Sequence, residues 1–142
     1  MPKFFVYTDG GARGNPGPAA IGIIIYNEDK KKIAEFSKFV GSRTNNQAEY
    51  LAVIEALKKI VEIPDNNPEV HCLLDSELVV EQLNQRYKLK NEGLKPLFWE
   101  IRELVMKLGG KIQFEYISRN KNKLADKLVN EALDKDVSKS KF

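Results

Sequence analysis

Apolar residues open the chain as an almost unbroken run, Phe4, Phe5, Val6 and Tyr7, that stops at Asp9 with Gly10 and Gly11 behind it. Such a run bounded by turn residues predicts a strand over 3–8, and AIGIIIY predicts a second over 20–26. Gly10, Gly11, Gly14, Asn15, Pro16 and Gly17 read as the turn between them. NEDKKK reads as a hairpin turn, and the alternation across 32–40 predicts a third, antiparallel strand. From Thr44 the period changes. Tyr50, Val53, Ile54, Leu57, Ile60 and Val61 recur at the spacing of an amphipathic helix that ends near Pro64. A short apolar strand follows at 70–74, then a helix from Ser76 to about Tyr87 with Val79, Leu83 and Tyr87 on one face. After the loop KLKNEGLK, Pro96 opens a helix striped by Leu97, Ile101, Leu104, Val105 and Leu108 and stopped by Gly109 and Gly110. The last strand covers 111–117. A polar loop, SRNKNK, leads into a helix over 123–136 striped by Leu124, Ala125, Leu128, Val129 and Ala132. The order βββαβααβα implies an α/β domain, a mixed sheet with helices on its faces, over residues 1–137, with a basic tail at 138–142.

Composition narrows the chemistry. At 142 residues the chain fits one domain with a single core, and it has neither an apolar run long enough to cross a bilayer nor a signal-peptide pattern. A soluble cytoplasmic protein is expected, as a monomer with no membrane association. Cys72 and His71 are the only residues of their kinds, which excludes a disulfide framework and clustered cysteine or histidine metal sites. Any metal site must be built from carboxylates. The net charge of +3 accommodates a polyanionic partner without demanding one.

Four acids stand out. Asp9 ends the first strand, and Asp-Gly-Gly is also good turn chemistry. Asp75 ends the fourth, and it also suits the start of a helix. On a helical wheel Glu49 lies about 20° from Ile60 and about 40° from Val53, at the edge of the buried stripe. Asp126 shares a helical column with Val129 and Leu133. Acids so placed need cations or must hold protons, because two like charges about 4 Å apart repel by about 4 kcal/mol even at an effective dielectric of 20. No matching column of basic residues is present, and oxygen-only ligands select Mg²⁺ or Mn²⁺ over zinc.

YTDGGARGNPG, TNNQAEYLAVIEAL, LDSELVVEQL and ISRNKNKLADKLVNEA together resemble the four signature blocks of the type 1 ribonuclease H family, in order, over residues 3–135. The resemblance implies a ribonuclease H-like fold with a mixed five-stranded sheet of order 3-2-1-4-5, which makes Asp9 and Asp75 neighbours. It implies Asp9, Glu49, Asp75 and Asp126 as catalytic ligands of two Mg²⁺ ions, Mn²⁺ substituting. The activity implied is endonucleolytic hydrolysis of the RNA strand of an RNA/DNA hybrid. A non-catalytic nucleic-acid-binding module, or a DNA or junction nuclease of the wider superfamily, are the alternatives.

Substrate contacts follow by the same resemblance: Gly10, Gly11, Ala12, Arg13 and Asn15 near the RNA backbone, Asn45, Asn46 and Gln47 in the minor groove, and Ser76 beside Asp75. TNNQ is also a capping box, Thr44 with Gln47, and both roles are compatible. Two departures stand out. Many members carry a loop histidine before the final Asp; SRNKNK has none, and Arg119 is the candidate to act near the scissile phosphate. His71, in an apolar strand, is expected in the core. The segment YKLKNEGLKPLFW is short where some members have an extra basic helix, leaving Lys88, Lys90 and Lys95 as candidate phosphate contacts and Trp99 as packing. No separate hybrid-binding domain is expected at the N-terminus.

Overall fold

The computed structural model describes residues 2–64 and 67–140, with the side chains of 137–140 left aside. The chain runs β1 (Lys3–Ala12), β2 (Gly17–Asn27), β3 (Lys32–Arg43), α1 (Asn45–Val61), β4 (Glu69–Leu74), α2 (Glu77–Leu83), α3 (Lys95–Lys107), β5 (Ile112–Tyr116) and α4 (Lys123–Ser140), with a 3₁₀ turn at Arg119–Lys121 before α4. The five strands form one sheet in the order β3-β2-β1-β4-β5. β1 pairs antiparallel with β2 and parallel with β4, so the meander and the helix-linked strands meet at β1. The fold class and strand order are those expected.

Helices cover both faces at the centre of the sheet. Ile21, Ile23 and Ile25 of β2 point into the main core with α1 and α3, while Ala20 packs with Val129, Ala132 and Leu133 of α4 on the other side. That two-sided burial explains why β2 reads as an unbroken apolar run rather than an alternating one. Each isoleucine fully buried there contributes roughly 1.5–3 kcal/mol. Gly22 is what lets α4 approach: a Cβ at that position would lie 2.3 Å from the Ala125 carbonyl oxygen.

The main departure lies at Asp9. β1 does not stop there but continues through Gly10, Gly11 and Ala12, paired with Ile21, Ala20 and Ala19 of β2. The glycines serve close approach rather than the turn, since a Cβ on Gly10 would sit 2.3 Å from the Ala48 carbonyl carbon of α1. The turn itself is confined to Arg13–Pro16, with a cis bond at Asn15–Pro16 and Gly14 at φ 105°.

α1 starts with the expected capping box: Thr44 accepts from the Gln47 amide and its own N–H donates to the Gln47 side chain. α2 is shorter than its pattern suggested. It ends at Leu83, where Asn84 Nδ2 donates to the Phe114 carbonyl (2.9 Å) and Gln85 turns to φ 61°. Tyr87 therefore leaves the buried face and is exposed. Leu124 and Trp99, both expected in apolar stripes, are also exposed, Trp99 at 63%. Of the basic tail expected at 138–142, residues 138–140 continue the backbone of α4, and 141–142 lie outside the described residues.

Candidate active site

The parallel register of β1 on β4 runs from Lys3 opposite Glu69 to Tyr7 opposite Leu73. Two residues further along, the same register brings Asp9 level with Asp75, the first residue past β4. α1 crosses the sheet against Gly10, and there the Gly10 N–H donates to Glu49 Oε1. Glycine at position 10 and the acid at 49 are thus one device, because only a strand without a side chain lets the helix deliver its carboxylate so close. Asp9, Glu49 and Asp75 each offer an oxygen within 4.8 Å of the others. Asp9 and Glu49 are buried, and Asp75 is half-buried.

Asp126 departs from expectation. It lies in the first turn of α4 but is exposed, and it stands outside that tight grouping, although it lines the same cleft. α4 buries Ala125, Leu128 and Val129, which leaves Asp126 facing the cleft rather than the sheet.

Crowding makes the acids hard to ionise together. Burial, with the charges of Asp75 and Asp126, raises the Asp9 carboxyl to about 7 in spite of a hydrogen bond from Glu49. Burial and the charge of Asp9 push Glu49 well above the usual carboxylate range, and the Gly10 N–H only partly offsets this. Such a group holds protons or shares cations. The donor set is all oxygen and tightly spaced, which fits hard divalent ions; the residues present suit Mg²⁺ or Mn²⁺.

A cleft of about 600 Å³ opens over these acids. β1 and its turn line it with Gly10, Gly11, Ala12 and Arg13, α1 with Asn45 and Asn46, and the loops beyond with Ser76 and Arg119. Asn15 and Gln47 do not line it. They act one step back, Asn15 Oδ1 accepting from the Asn45 N–H (3.0 Å) and Gln47 closing the α1 cap. Asn45 Oδ1 in turn accepts from the Ala12 N–H (2.8 Å), tying the glycine-rich strand to the helix. Lys88 lies elsewhere, in a groove with Tyr87, Lys95 and Trp99, and Lys90 is exposed on the same loop. That loop is not remote, for a Cβ on Gly93 would come 3.3 Å from Gln47 Nε2.

His71 is not in the core. Its side chain is 17% exposed on the open sheet face, with Nε2 2.8 Å from Glu69 Oε2 and Nδ1 3.3 Å from Glu115 Oε2. Alternation along β4 explains this, because positions 70, 72 and 74 point to the core and 69, 71 and 73 away.

One residue of the site gave almost no sequence signal. Asn122, in the polar loop before α4, is 1% exposed; its Nδ2 donates to the Thr8 carbonyl (2.9 Å) and to Asp75 Oδ2 (3.1 Å). Its own carbonyl accepts from the Asp126 N–H (3.2 Å). A single buried residue thereby joins β1 and Asp75 through its side chain and the start of α4 through its main-chain carbonyl. A spacing of four residues before an acid was the only hint, and polar loops carry many asparagines.

Comparison with known proteins now adds the lineage. The family described as reverse transcriptase-like matches residues 7–132. A ribonuclease H of Clostridium botulinum is 34% identical, the match covering 94% of this chain and 97% of the relative. The chain belongs to the type 1 ribonuclease H family. LC11-RNase H1, isolated from compost, superposes at TM-score 0.91 with 45% identity over 96% of this chain and 99% of its own. The same relative has been solved in complex with an RNA/DNA hybrid, at 44% identity to this chain over 94% of it and 99% of the relative. A bifunctional protein of Mycobacterium tuberculosis is 38% identical over 93% of this chain, which spans only 36% of that relative's length. Among the described residues, no helix is long and apolar enough to cross a membrane.

Proposed function

We propose that the protein is an endonuclease that hydrolyses the RNA strand of RNA/DNA hybrids and leaves 5′-phosphate and 3′-hydroxyl ends. The observation that carries this reading is the convergence of Asp9, Glu49 and Asp75 within 4.8 Å at the floor of a cleft edged by amides. Family membership supports the reaction class, and the hybrid complex of LC11-RNase H1 supports the substrate.

Asp9, Glu49, Asp75 and Asp126 would hold two Mg²⁺ ions, which Mn²⁺ can replace. Bound there, the ions supply a water of lowered pKa and stabilise the attacking and leaving oxygens of an in-line displacement. The chain's own part is positioning. Gly10, Gly11 and Ala12 give the cleft a wall without bulk, so that a sugar–phosphate backbone can lie against β1. Asn45 and Asn46 offer amides to the minor groove, where the 2′-hydroxyl distinguishes RNA from DNA. Asn15 and Gln47 hold Asn45 and the α1 terminus in place. Arg13 and Ser76 face the strand from either side. Arg119, which lines the cleft, is read as serving the scissile or leaving phosphate where other members use a histidine, and Arg119→Ala should lower kcat more than it raises KM. Lys88 and Lys90 are read as phosphate contacts for the DNA strand, outside the cleft itself. The enzyme is read as a cytoplasmic monomer, with its catalytic domain over residues 1–137.

The test is incubation of labelled hybrid, double-stranded RNA and double-stranded DNA with Mg²⁺, Mn²⁺ or EDTA. Metal-dependent cutting confined to the RNA strand of the hybrid is expected; hybrid left intact under every condition would refute the reading.

A further inference from the structure

Arg13, which lines the cleft, forms an ion pair with Asp134 of α4, Arg13 Nη2 donating to Asp134 Oδ1 at 2.7 Å. The two lie 121 residues apart in sequence. Arg13 belongs to the turn between β1 and β2, and Asp134 to α4, two turns beyond Asp126. On its other side the turn is already fixed to α1 by the Ala12–Asn45 and Asn45–Asn15 hydrogen bonds. The turn does not need Asp134 to hold its shape. What the pair decides is where the guanidinium points and what it touches before substrate arrives.

We propose that Asp134 is a positioning residue that occupies Arg13 as a stand-in for a backbone phosphate of the nucleic-acid substrate and yields it when the strand binds. The inference rests on the ribonuclease H reading of the cleft. Its physical basis is an exchange between two anions. Both side chains are exposed, 43% and 69%, and an ion pair in water at such exposure holds weakly. A phosphate offers the guanidinium a two-pronged, charge-assisted contact where Asp134 engages one nitrogen, so the exchange favours the strand. Asp134 thus holds the Arg13 guanidinium until the strand arrives and competes with the strand for it, which lowers affinity and hastens product release.

The competition makes a specific demand on a double-mutant cycle. Asp134→Asn should lower KM for hybrid about twofold to fivefold, the upper part of what an exposed pair supports, with kcat nearly unchanged or reduced. Arg13→Ala should raise KM. In the Arg13→Ala background, Asp134→Asn should change KM by less than about 1.5-fold, because the residue acts through Arg13. A direct measurement with hybrid and the catalytically silent Asp9→Asn protein should reproduce the same pattern in Kd, and melting temperatures of all variants should agree within a few degrees. If Asp134→Asn gives the same shift with and without Arg13, Asp134 is only a negative charge near a polyanion and the proposal is overturned; if it weakens binding, Asp134 assists rather than competes and the proposal is again overturned. If the wild-type protein neither binds nor cuts hybrid, the ribonuclease H reading itself falls and takes this inference with it.

Discussion

Asp9, Glu49 and Asp75 gather where β1, α1 and the end of β4 meet, whereas Glu69 and Glu115 lie around His71 on the open face of β4 and β5. Both groups involve neighbouring strands of one sheet, and both bring carboxylates close together. Their titration differs in sign. The hydrogen bond with His71, helped by Lys3, holds Glu69 below the usual carboxylate range, while burial and mutual repulsion raise Asp9 to about 7. The difference lies in the company each acid keeps. Glu69 has two basic neighbours and water, so its charge is already answered. Asp9 has other acids and little water, so its charge must be answered from outside the chain. A carboxylate cluster thus points to a metal where no basic side chain lowers its acids, even with Arg13, Arg119 and Lys123 along the same cleft, and not through acid content.

Neutralising one acid from each group gives the largest expected contrast. Asp9→Asn should reduce cleavage of hybrid to below roughly a thousandth of wild type, as expected for a group that acts as part of a unit. Glu69→Gln should leave kcat within about twofold, since an exposed pair contributes little. Initial rates on a labelled hybrid decide the matter, and equal losses in both variants would erase the distinction.

A smaller effect separates two asparagines. Asn122 is buried and donates to Asp75 Oδ2 at 3.1 Å, while Asn130 is exposed and donates to the Asp126 carbonyl (3.1 Å) within its own helix and only at 3.5 Å to Asp126 Oδ2. Orienting partners of metal-binding groups are worth about 10–100-fold in metal affinity or activity. Asn122→Ala should therefore raise the Mg²⁺ concentration for half-maximal activity within that range and cost roughly 1–3 kcal/mol of stability for the polar groups left unpaired. Asn130→Ala, which removes a longer and exposed bond to the Asp126 carboxylate, should do both to a smaller degree. A metal titration followed by rate and by thermal melting measures both.

Much of this was legible in the chain. Every strand and helix came from apolar periodicity, and Glu49 was visible because an acid 20° from Ile60 on a wheel has no reason to be there unless it has work to do. What escaped was set by contacts between distant segments. The strand carrying Asp9 runs on through its glycines because α1 packs against Gly10, and no local rule distinguishes that from a turn. The exposure of Trp99 depends on which side of α3 meets α1. Asn122 is buried by β1 and Asp75, residues 114 and 47 positions away. Asp126 shows the limit of the wheel itself, which gave its neighbours correctly and its burial wrongly.

The pH dependence of stability turns the same comparison into a thermodynamic one. The Asp9 carboxyl keeps its proton to about pH 7 in the folded chain, against 3.8 for an unperturbed carboxyl, so between those values the folded state binds the extra proton. Stability must then fall as pH rises through this window, and Glu49 adds in the same direction. Glu69 works oppositely: its lowered value gives stability present above the usual carboxylate range and lost as pH falls through the folded value. In EDTA the melting temperature should be lower at about pH 8 than at about pH 5, and Mg²⁺ should restore it chiefly at the higher pH, where the acids are ready to bind it. Asp9→Asn should flatten the EDTA profile. A wild-type profile that is flat without metal would mean the buried acids are already compensated.

The smallest expected effect concerns charges of the other sign. Lys95 is paired with Glu92 at 2.7 Å, whereas Lys88 and Lys90 make no ion pair among the described residues. By the reasoning that separates Asp9 from Glu69, the paired lysine is answered and the other two remain free for an outside anion. Exposure changes the magnitude, because a solvated ammonium loses little by waiting in water, and its contact with a phosphate shows as released counterions more than as a large affinity change. Each phosphate contact on duplex contributes roughly 0.9 to the slope of log K against log salt. Lys88→Ala with Lys90→Ala should therefore flatten the slope for hybrid binding by up to roughly 1.8 while leaving kcat at saturating hybrid unchanged. Lys95→Ala should flatten it less. Binding isotherms at several salt concentrations, with Asp9→Asn as the background to prevent cleavage, give the slopes directly. An unchanged slope would mean that this loop is merely solvated, and that in this chain the nucleic acid is held by the cleft alone.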